Sequence, residues 1–265
     1  MNETITSRQN TRVKAAAKLR DRRGREDQGR IIIDGVREIS RAVRAGIEVL
    51  EVFVYEQTLG SDGEQLIAQL GDPVEIVLVT ESVFEKICFG NRTEGAVAVA
   101  RLPVCELSDI ALAEHALVAV LEGIEKPGNV GAILRSADAA GVSAVIAVNL
   151  ATDLFNPNAI RASAGTIFSL PFVATSSESA REWLDERDFQ VLATRVDGAI
   201  NYTEANYTGR TAIVLGSEAQ GLSGDWAGDD VNAIKLPMLG VADSLNVSVT
   251  AAVLFYEALR QRGQR

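Results

Sequence analysis

The sequence predicts an α/β protein of two domains: a smaller mixed unit, then a larger one built on a parallel sheet. Three observations lead there. Strand-like and helix-like segments alternate through the chain. Strand candidates of the second half, such as 116–121, are continuous apolar runs, which suits strands covered on both faces. The 265 residues, 47% hydrophobic and 23% charged, suffice for one large or two small cores. Residues 1–104 form the first domain, 105–115 a linker and 116–265 the second domain.

In the first domain, residues 9–28 read as one polar, basic helix that breaks near Gly29. A short apolar strand follows at 31–33. Asp34-Gly35 opens a helix that ends near Ala45-Gly46. Strands at 50–55 and 75–80 flank a helix at 65–70. A helix at 81–87 and a strand at 95–101 complete the unit. In the second domain, strands are expected at 116–121, 144–148, 190–194, 212–215 and 232–236. Helices are expected at 130–140, 157–164, 179–186 and 245–262.

Composition narrows the function classes. No apolar run approaches the ~18 residues that span a bilayer, and the opening MNETITSRQN lacks the apolar core of a secretory signal. A cytoplasmic protein is expected. Two cysteines, Cys88 and Cys105, and one histidine, His115, cannot build a structural zinc site. Catalysis is therefore expected without a histidine base and without a metal. The net charge of −10 is unevenly spread. Residues 1–30 hold nine basic and four acidic residues (+5), whereas the remainder holds 17 basic and 32 acidic (−15). A basic arm on an acidic body can grip phosphates locally. The same charges also suit an ordinary solvated helix face.

The familiar nucleotide and hydrolase signatures are missing. There is no G-x-G-x-x-G after a strand, no P-loop and no G-x-S-x-G elbow. Three other segments stand out, each after an expected strand. In the first, Leu121-Glu122-Gly123 leads into Lys126-Pro127-Gly128-Asn129-Val130-Gly131 and a helix, with Asn129 as its expected N-cap. Arg135 points off that helix's apolar stripe, beyond the carboxyl end of a strand, where open α/β sheets bind ligands. The second runs Leu215-Gly216-Ser217-Glu218 to Gly221; its glycines permit close backbone approach, and Glu218 can pair with a cation. The third runs from Ile234 through Leu236 and Pro237 to Ser244-Leu245-Asn246-Val247-Ser248. Ser244 is the expected N-cap of the last helix.

In this order, the stretches N-x-x-G-A-I-x-R, L-G-S-E-x-x-G and I-x-L-P-M … S-L-N-V-S resemble the three motifs of the SpoU, or TrmH, family of RNA ribose 2′-O-methyltransferases, within the SPOUT superfamily. The resemblance covers about 116–262, and residues 5–54 more loosely resemble the family's amino-terminal substrate-binding domain, an α/β unit similar to ribosomal proteins. It implies a deep trefoil knot, a homodimer, S-adenosylmethionine as cofactor and RNA as substrate. By the same resemblance, Arg135 is the catalytic arginine, oriented by the Asn129 amide oxygen. Glu218 holds the cation or neighbouring loops in place, and Ser244 and Asn246 lie beside donor and acceptor. Thr194, Leu215, Gly216, Ser217, Gly221, Ile234, Leu236, Ser244, Leu245 and Asn246 are the candidate cofactor residues. Arg8, Arg12, Lys14, Lys18, Arg22 and Arg23 are the candidate RNA contacts. The two-domain organisation points to 23S ribosomal RNA first and tRNA second. Rival readings are base methylation of tRNA, a non-catalytic RNA-binding factor of the same fold and a nucleotide-dependent metabolic enzyme.

Overall fold

The computed structural model describes residues 4–89, 94–150 and 152–263. The chain divides into two compact units, Met1–Pro103 with Phe155–Ser169, and Val104–Leu154 with Leu170–Arg265.

The first unit opens with α1 (Thr11–Lys18) and α2 (Arg22–Gln28), followed by β1 (Arg30–Asp34), α3 (Val36–Arg44), β2 (Val49–Val54), α4 (Glu56–Gln69), β3 (Glu75–Leu78), α5 (Glu81–Ile87) and β4 (Ala96–Arg101). The four strands form one sheet in the order β1-β4-β2-β3. Its β1–β4 and β4–β2 pairs are antiparallel and β2–β3 is parallel. Val13, Ala16, Phe53, Val83, Phe84 and Ile87 share one core cluster of this unit.

The single helix expected over 9–28 is in fact two. The chain turns at 19–21 so that α2 folds back on the end of α1. Gly24 makes this possible: a Cβ there would fall 2.0 Å from the Lys18 carbonyl oxygen. Arg25 is 2% exposed and donates to the carbonyls of Leu19 (2.6 Å) and Arg20 (2.8 Å). These carbonyls end α1 and have no helical partner, so a buried cation satisfies them.

The second unit contains β5 (Leu117–Glu122), α6 (Pro127–Ala139), β6 (Ala144–Val148), β7 (Phe172–Thr175), α8 (Ser177–Asp185), β8 (Gln190–Thr194), β9 (Ile200–Asn201), β10 (Thr211–Leu215), β11 (Val231–Lys235) and α9 (Val247–Gln261). Its seven strands run β7-β6-β5-β10-β8-β11-β9, with every neighbouring pair parallel. All residues of β5, β6 and β10 are buried, as their apolar runs require. On one face, Val118, Val120, Ile146 and Val214 pack with Trp183, Trp226 and Phe189. Elsewhere α6 and α9 pack on one another.

Two strands, β7 and β9, fall where no strand is expected. β9 has two residues and β7 four, too short to carry a periodic signal. The helix expected at 157–164 is α7 (Pro157–Ala162), and it packs against β1 in the first unit although it follows β6 in sequence. Arg41 donates to the Ala164 carbonyl at 2.8 Å there.

Candidate active site

All strands of the larger sheet point the same way, so the loops after β5, β8, β10 and β11 leave from one edge. That edge holds the three motif segments. Leu121 pairs with Leu215 in the β5–β10 register, which sets the first two loops side by side.

The first motif helix starts earlier than expected. Pro127 occupies the first turn of α6 behind Lys126, since its fixed φ suits that position and its missing N–H leaves nothing unsatisfied. Asn129 is therefore inside the first turn, not the cap. Its side chain is freed to face outward and donates to Glu218 Oε1 at 3.0 Å. In the third segment the cap of α9 is Asn246, not Ser244. Asn246 Oδ1 accepts from the Ser248 amide (3.0 Å) and hydroxyl (2.6 Å). With its oxygen held by the helix end, Asn246 can turn only its NH2 toward the other loops. It donates to Glu218 Oε1 at 2.6 Å and to Asn129 Oδ1 at 3.3 Å.

Glu218 is the centre of this cluster. Its Oε2 accepts from Lys126 Nζ at 2.7 Å, so one carboxylate joins the loops after β5, β10 and β11. The Lys126 hydrogen bond is the chief cause that holds the Glu218 carboxyl below its ordinary range, and Asn129 adds to it. The same pair raises the Lys126 ammonium. Glu218 thus stays ionised and fixes both amides near neutral pH. A cleft of about 250 Å³ opens over these groups, lined by Ile124, Glu125, Lys126, Asn129, Glu218, Ala219 and Val247.

Several expected roles change. Asn129 Oδ1 accepts from Asn246, and among the described residues no hydrogen bond joins Asn129 to Arg135. Arg135 lies six residues further along α6, a rise of ~9 Å, and is turned to a different face of the helix. It is exposed, and no acceptor among the described residues holds its guanidinium. Ser244 is exposed and outside the hydrogen-bonded cluster. The cation of Glu218 is Lys126, a residue of the glycine-bearing segment to which sequence reasoning assigned no role.

The candidate cofactor residues lie at the same edge. Leu215 and Ile234 are fully buried strand ends. Thr194 ends β8 and donates to the Val214 carbonyl at 2.8 Å, which ties β8 to β10. After Leu215 the chain forms a tight loop in which the Ser217 and Gly221 backbones pair with each other. A Cβ on Gly216 would fall 2.5 Å from the Gly221 carbonyl carbon, so the turn excludes any side chain there. Leu236 is half-buried, and Leu245 is 39% exposed. The set suits a nucleoside bearing a cationic sulfur: backbone at strand ends, an uncovered leucine and a fixed carboxylate nearby. Among the described residues no three His, Cys, Asp or Glu side chains gather as a metal site.

The basic arm is less free than its composition suggests. Arg12 donates to Glu51 (2.6 Å) and Glu75 (2.6 Å), which lock it onto the sheet of its own unit. Arg22 and Arg23 pair along α2 with Glu26 (2.7 Å) and Asp27 (3.6 Å). Arg8, Lys14 and Lys18 remain exposed. Lys14 and Lys18 line a shallow surface groove with Lys86, which sequence reasoning did not single out.

Both parts of the chain match known protein families. Residues 116–256 match the SpoU rRNA Methylase family, and residues 10–98 match the MRM3-like substrate binding domain. A 23S rRNA (uridine(2479)-2′-O)-methyltransferase of Streptomyces viridochromogenes is 31% identical over 97% of this chain and 92% of its own length. A crystal structure of an RNA 2′-O ribose methyltransferase superposes with a TM-score of 0.87 at 41% identity, covering 98% of this chain and 99% of that one. The SpoU methyltransferase AviRb from Streptomyces viridochromogenes, in complex with AdoMet, gives a TM-score of 0.88 at 29% identity, covering 97% of this chain and 99% of that one. With its family-specific region spanning more than half the chain and its motif loops joined at one carboxylate, this protein belongs to the SpoU rRNA methylase family.

Proposed function

We propose that this chain methylates a ribose 2′-hydroxyl of 23S rRNA, with S-adenosylmethionine as donor, and works as a homodimer. The observation that carries the reading is the Glu218-centred junction of three loops that follow separate strands, with Asn129 lying 89 residues and Asn246 28 residues from Glu218 in sequence. No packing need explains why two amides and an ammonium converge on one surface carboxylate.

The donor carries its methyl on a cationic sulfur, so the leaving group departs neutral. The protein must supply in-line placement and lower the cost of losing the hydroxyl proton. Asn129 and Asn246 are held in fixed orientations and place the acceptor ribose in the cleft. Arg135 is the cation for the chemistry. The part of a guanidinium that serves here is its delocalised charge and its planar fork of donors. Arg135 binds the phosphate next to the acceptor and stabilises the developing alkoxide. Ser244 lies on the loop between donor and acceptor. Thr194, Leu215, Gly216, Ser217, Gly221, Ile234, Leu236 and Leu245 form the slot for the cofactor.

A second copy is supported by apolar side chains left uncovered near the site. Leu239 (99%), Val241 (101%), Val249 (47%) and Tyr256 (52%) are exposed on the loop before α9 and on α9 itself. Exposed apolar groups at one end of a domain mark an interaction surface. The trefoil knot implied by the resemblance goes with the same assignment. Arg8, Lys14 and Lys18 are the RNA grip, with Arg22 and Arg23 contributing after exchange of their helix partners. A cytoplasmic location goes with the proposed action on ribosomal RNA.

The test is methyl transfer to ribosomal RNA and to tRNA at saturating S-adenosylmethionine, with the product located by nuclease digestion and mass spectrometry. The parent is expected to label one ribose of 23S rRNA, and Arg135→Ala to lose about 10²-fold or more in turnover. A methyl on a base, labelling of tRNA alone, or undiminished turnover by Arg135→Ala would each overturn the corresponding part.

A further inference from the structure

Glu122 ends β5 with a carboxylate that the chemistry above does not use. It is only 4% exposed, and among the described residues no cation pairs with it. Burying a carboxylate is costly unless hydrogen bonds replace the lost water. Here they do, and they come chiefly from one residue. Oε2 accepts from the Ser223 amide at 2.8 Å, and Oε1 accepts from the Ser223 hydroxyl at 2.8 Å. The Ser177 hydroxyl approaches Oε1 at 3.5 Å and itself accepts from Asn149 Nδ2 at 3.0 Å.

The place of Ser223 gives these bonds their meaning. Ser223 closes the loop that opens at Gly216 and carries Ser217 and Glu218. The β5–β10 register puts Leu121 opposite Leu215, so Glu122 stands where that loop leaves the sheet. One end of the loop is held by the sheet. The middle is held by its own Ser217–Gly221 pairing, with the Ser217 hydroxyl turned inward to the Gln220 amide at 3.0 Å. The far end is held by Glu122, a residue 101 positions away in sequence.

We infer that Glu122 is a positioning residue for methyl-donor binding: its buried carboxylate clamps Ser223 and keeps the 216–223 loop in the shape that receives S-adenosylmethionine. This rests on the assignment of that loop to the cofactor. A carboxylate serves the clamp better than an apolar side chain because it accepts from an amide and a hydroxyl of one residue at once. Such a two-point hold fixes both the position of Ser223 and its orientation.

The experiment compares Glu122→Ala, Glu122→Gln, Ser223→Ala, the Glu122→Ala/Ser223→Ala double variant and Gly216→Ala. The readouts are steady-state methyl transfer, calorimetric binding of S-adenosylmethionine and thermal melting. Glu122→Ala is expected to raise KM for the donor about tenfold with little change in kcat, the signature of lost donor binding. Glu122→Gln keeps one oxygen for the Ser223 amide and offers its NH2 to the hydroxyls, so donor affinity returns to within about threefold. The double variant is expected to be no weaker for the donor than the worse single one, since both break one clamp. If Glu122→Ala fails to fold, Ser223→Ala carries the test with a rise of about threefold. A lower melting temperature with unchanged donor affinity in every folded variant, or fully additive losses, would overturn the clamp. Gly216→Ala separates the two ideas. Donor binding unaffected by Gly216→Ala refutes the loop assignment itself, whereas a loss there with none at Glu122 or Ser223 refutes only the clamp.

Discussion

In the first unit Arg12 reaches Glu51 and Glu75, and Arg25 is buried against the carbonyls that end α1, whereas in the second unit Glu218 gathers Lys126, Asn129 and Asn246 at the open edge of the sheet. The first set serves packing. Removing Arg25 would leave the Leu19 and Arg20 carbonyls without a partner inside the unit; Arg12 braces the sheet surface through the half-buried Glu51, while its second partner, Glu75, faces water. The second set is surface-exposed, where water could satisfy each group separately at little cost. Polar groups that are held together although water is at hand are organised for a ligand, and those held together because water is excluded are organised for the fold. Charge counts do not separate the two cases. The basic segment looks like one phosphate grip in sequence, yet part of it is internal scaffolding.

That contrast can be broken or sharpened by mutation. The largest effect is expected at Asn246. Asn246→Ala removes both the cap of α9 and the bridge to Glu218, and loses about 10²-fold in methyl transfer through misplaced acceptor groups. Asn246→Ser restores a cap, worth ~1 kcal/mol, without restoring the bridge. Activity should stay low in the serine variant while urea denaturation shows recovered stability; recovered activity would mean that the cap alone matters.

A smaller effect of the opposite kind is expected at Arg25. Arg25→Met leaves the Leu19 and Arg20 carbonyls unsatisfied and costs about 1–3 kcal/mol in urea denaturation. Turnover per folded molecule at saturating RNA should not change. A catalytic defect without loss of stability would show that Arg25 is not scaffolding.

The smallest effect separates the cations of the arm. Lys14→Ala/Lys18→Ala removes two exposed charges, and the slope of log affinity for RNA against log salt should fall by about 1–2. Arg12→Ala should leave that slope unchanged, because Glu51 and Glu75 already neutralise it. Equal loss in the two variants would mean that RNA releases Arg12 from its carboxylates on binding.

Much of the fold was legible because buried parallel strands are read directly from apolar runs. The segments at 116–121, 144–148, 190–194 and 212–215 fall on β5, β6, β8 and β10. β7 and β9 were not legible: runs of four and two residues carry no period. The break between α1 and α2 was hidden because Gly24 resembles a tolerated helical glycine until the crossing with Lys18 is seen. In the site, the three motif segments were recognisable, but their internal wiring was not. A cap depends on where the first helical turn begins: the cap of α6 is Lys126, three residues before Asn129, and that of α9 is Asn246, two residues after Ser244. The signal for Glu122 was present and overlooked: an acid at the end of an otherwise apolar buried strand needs a specific partner.

By itself the sequence determined the α/β class, the parallel sheet, the motif loops and the uneven charge, since these depend on local residue type and period. Tertiary structure alone decided that Lys126 pairs with Glu218, that Asn246 takes the acceptor on Asn129, and that Arg12 is held by Glu51 and Glu75. Partners separated by tens of residues are chosen by strand order and register, and no short-range pattern encodes which strand ends become neighbours.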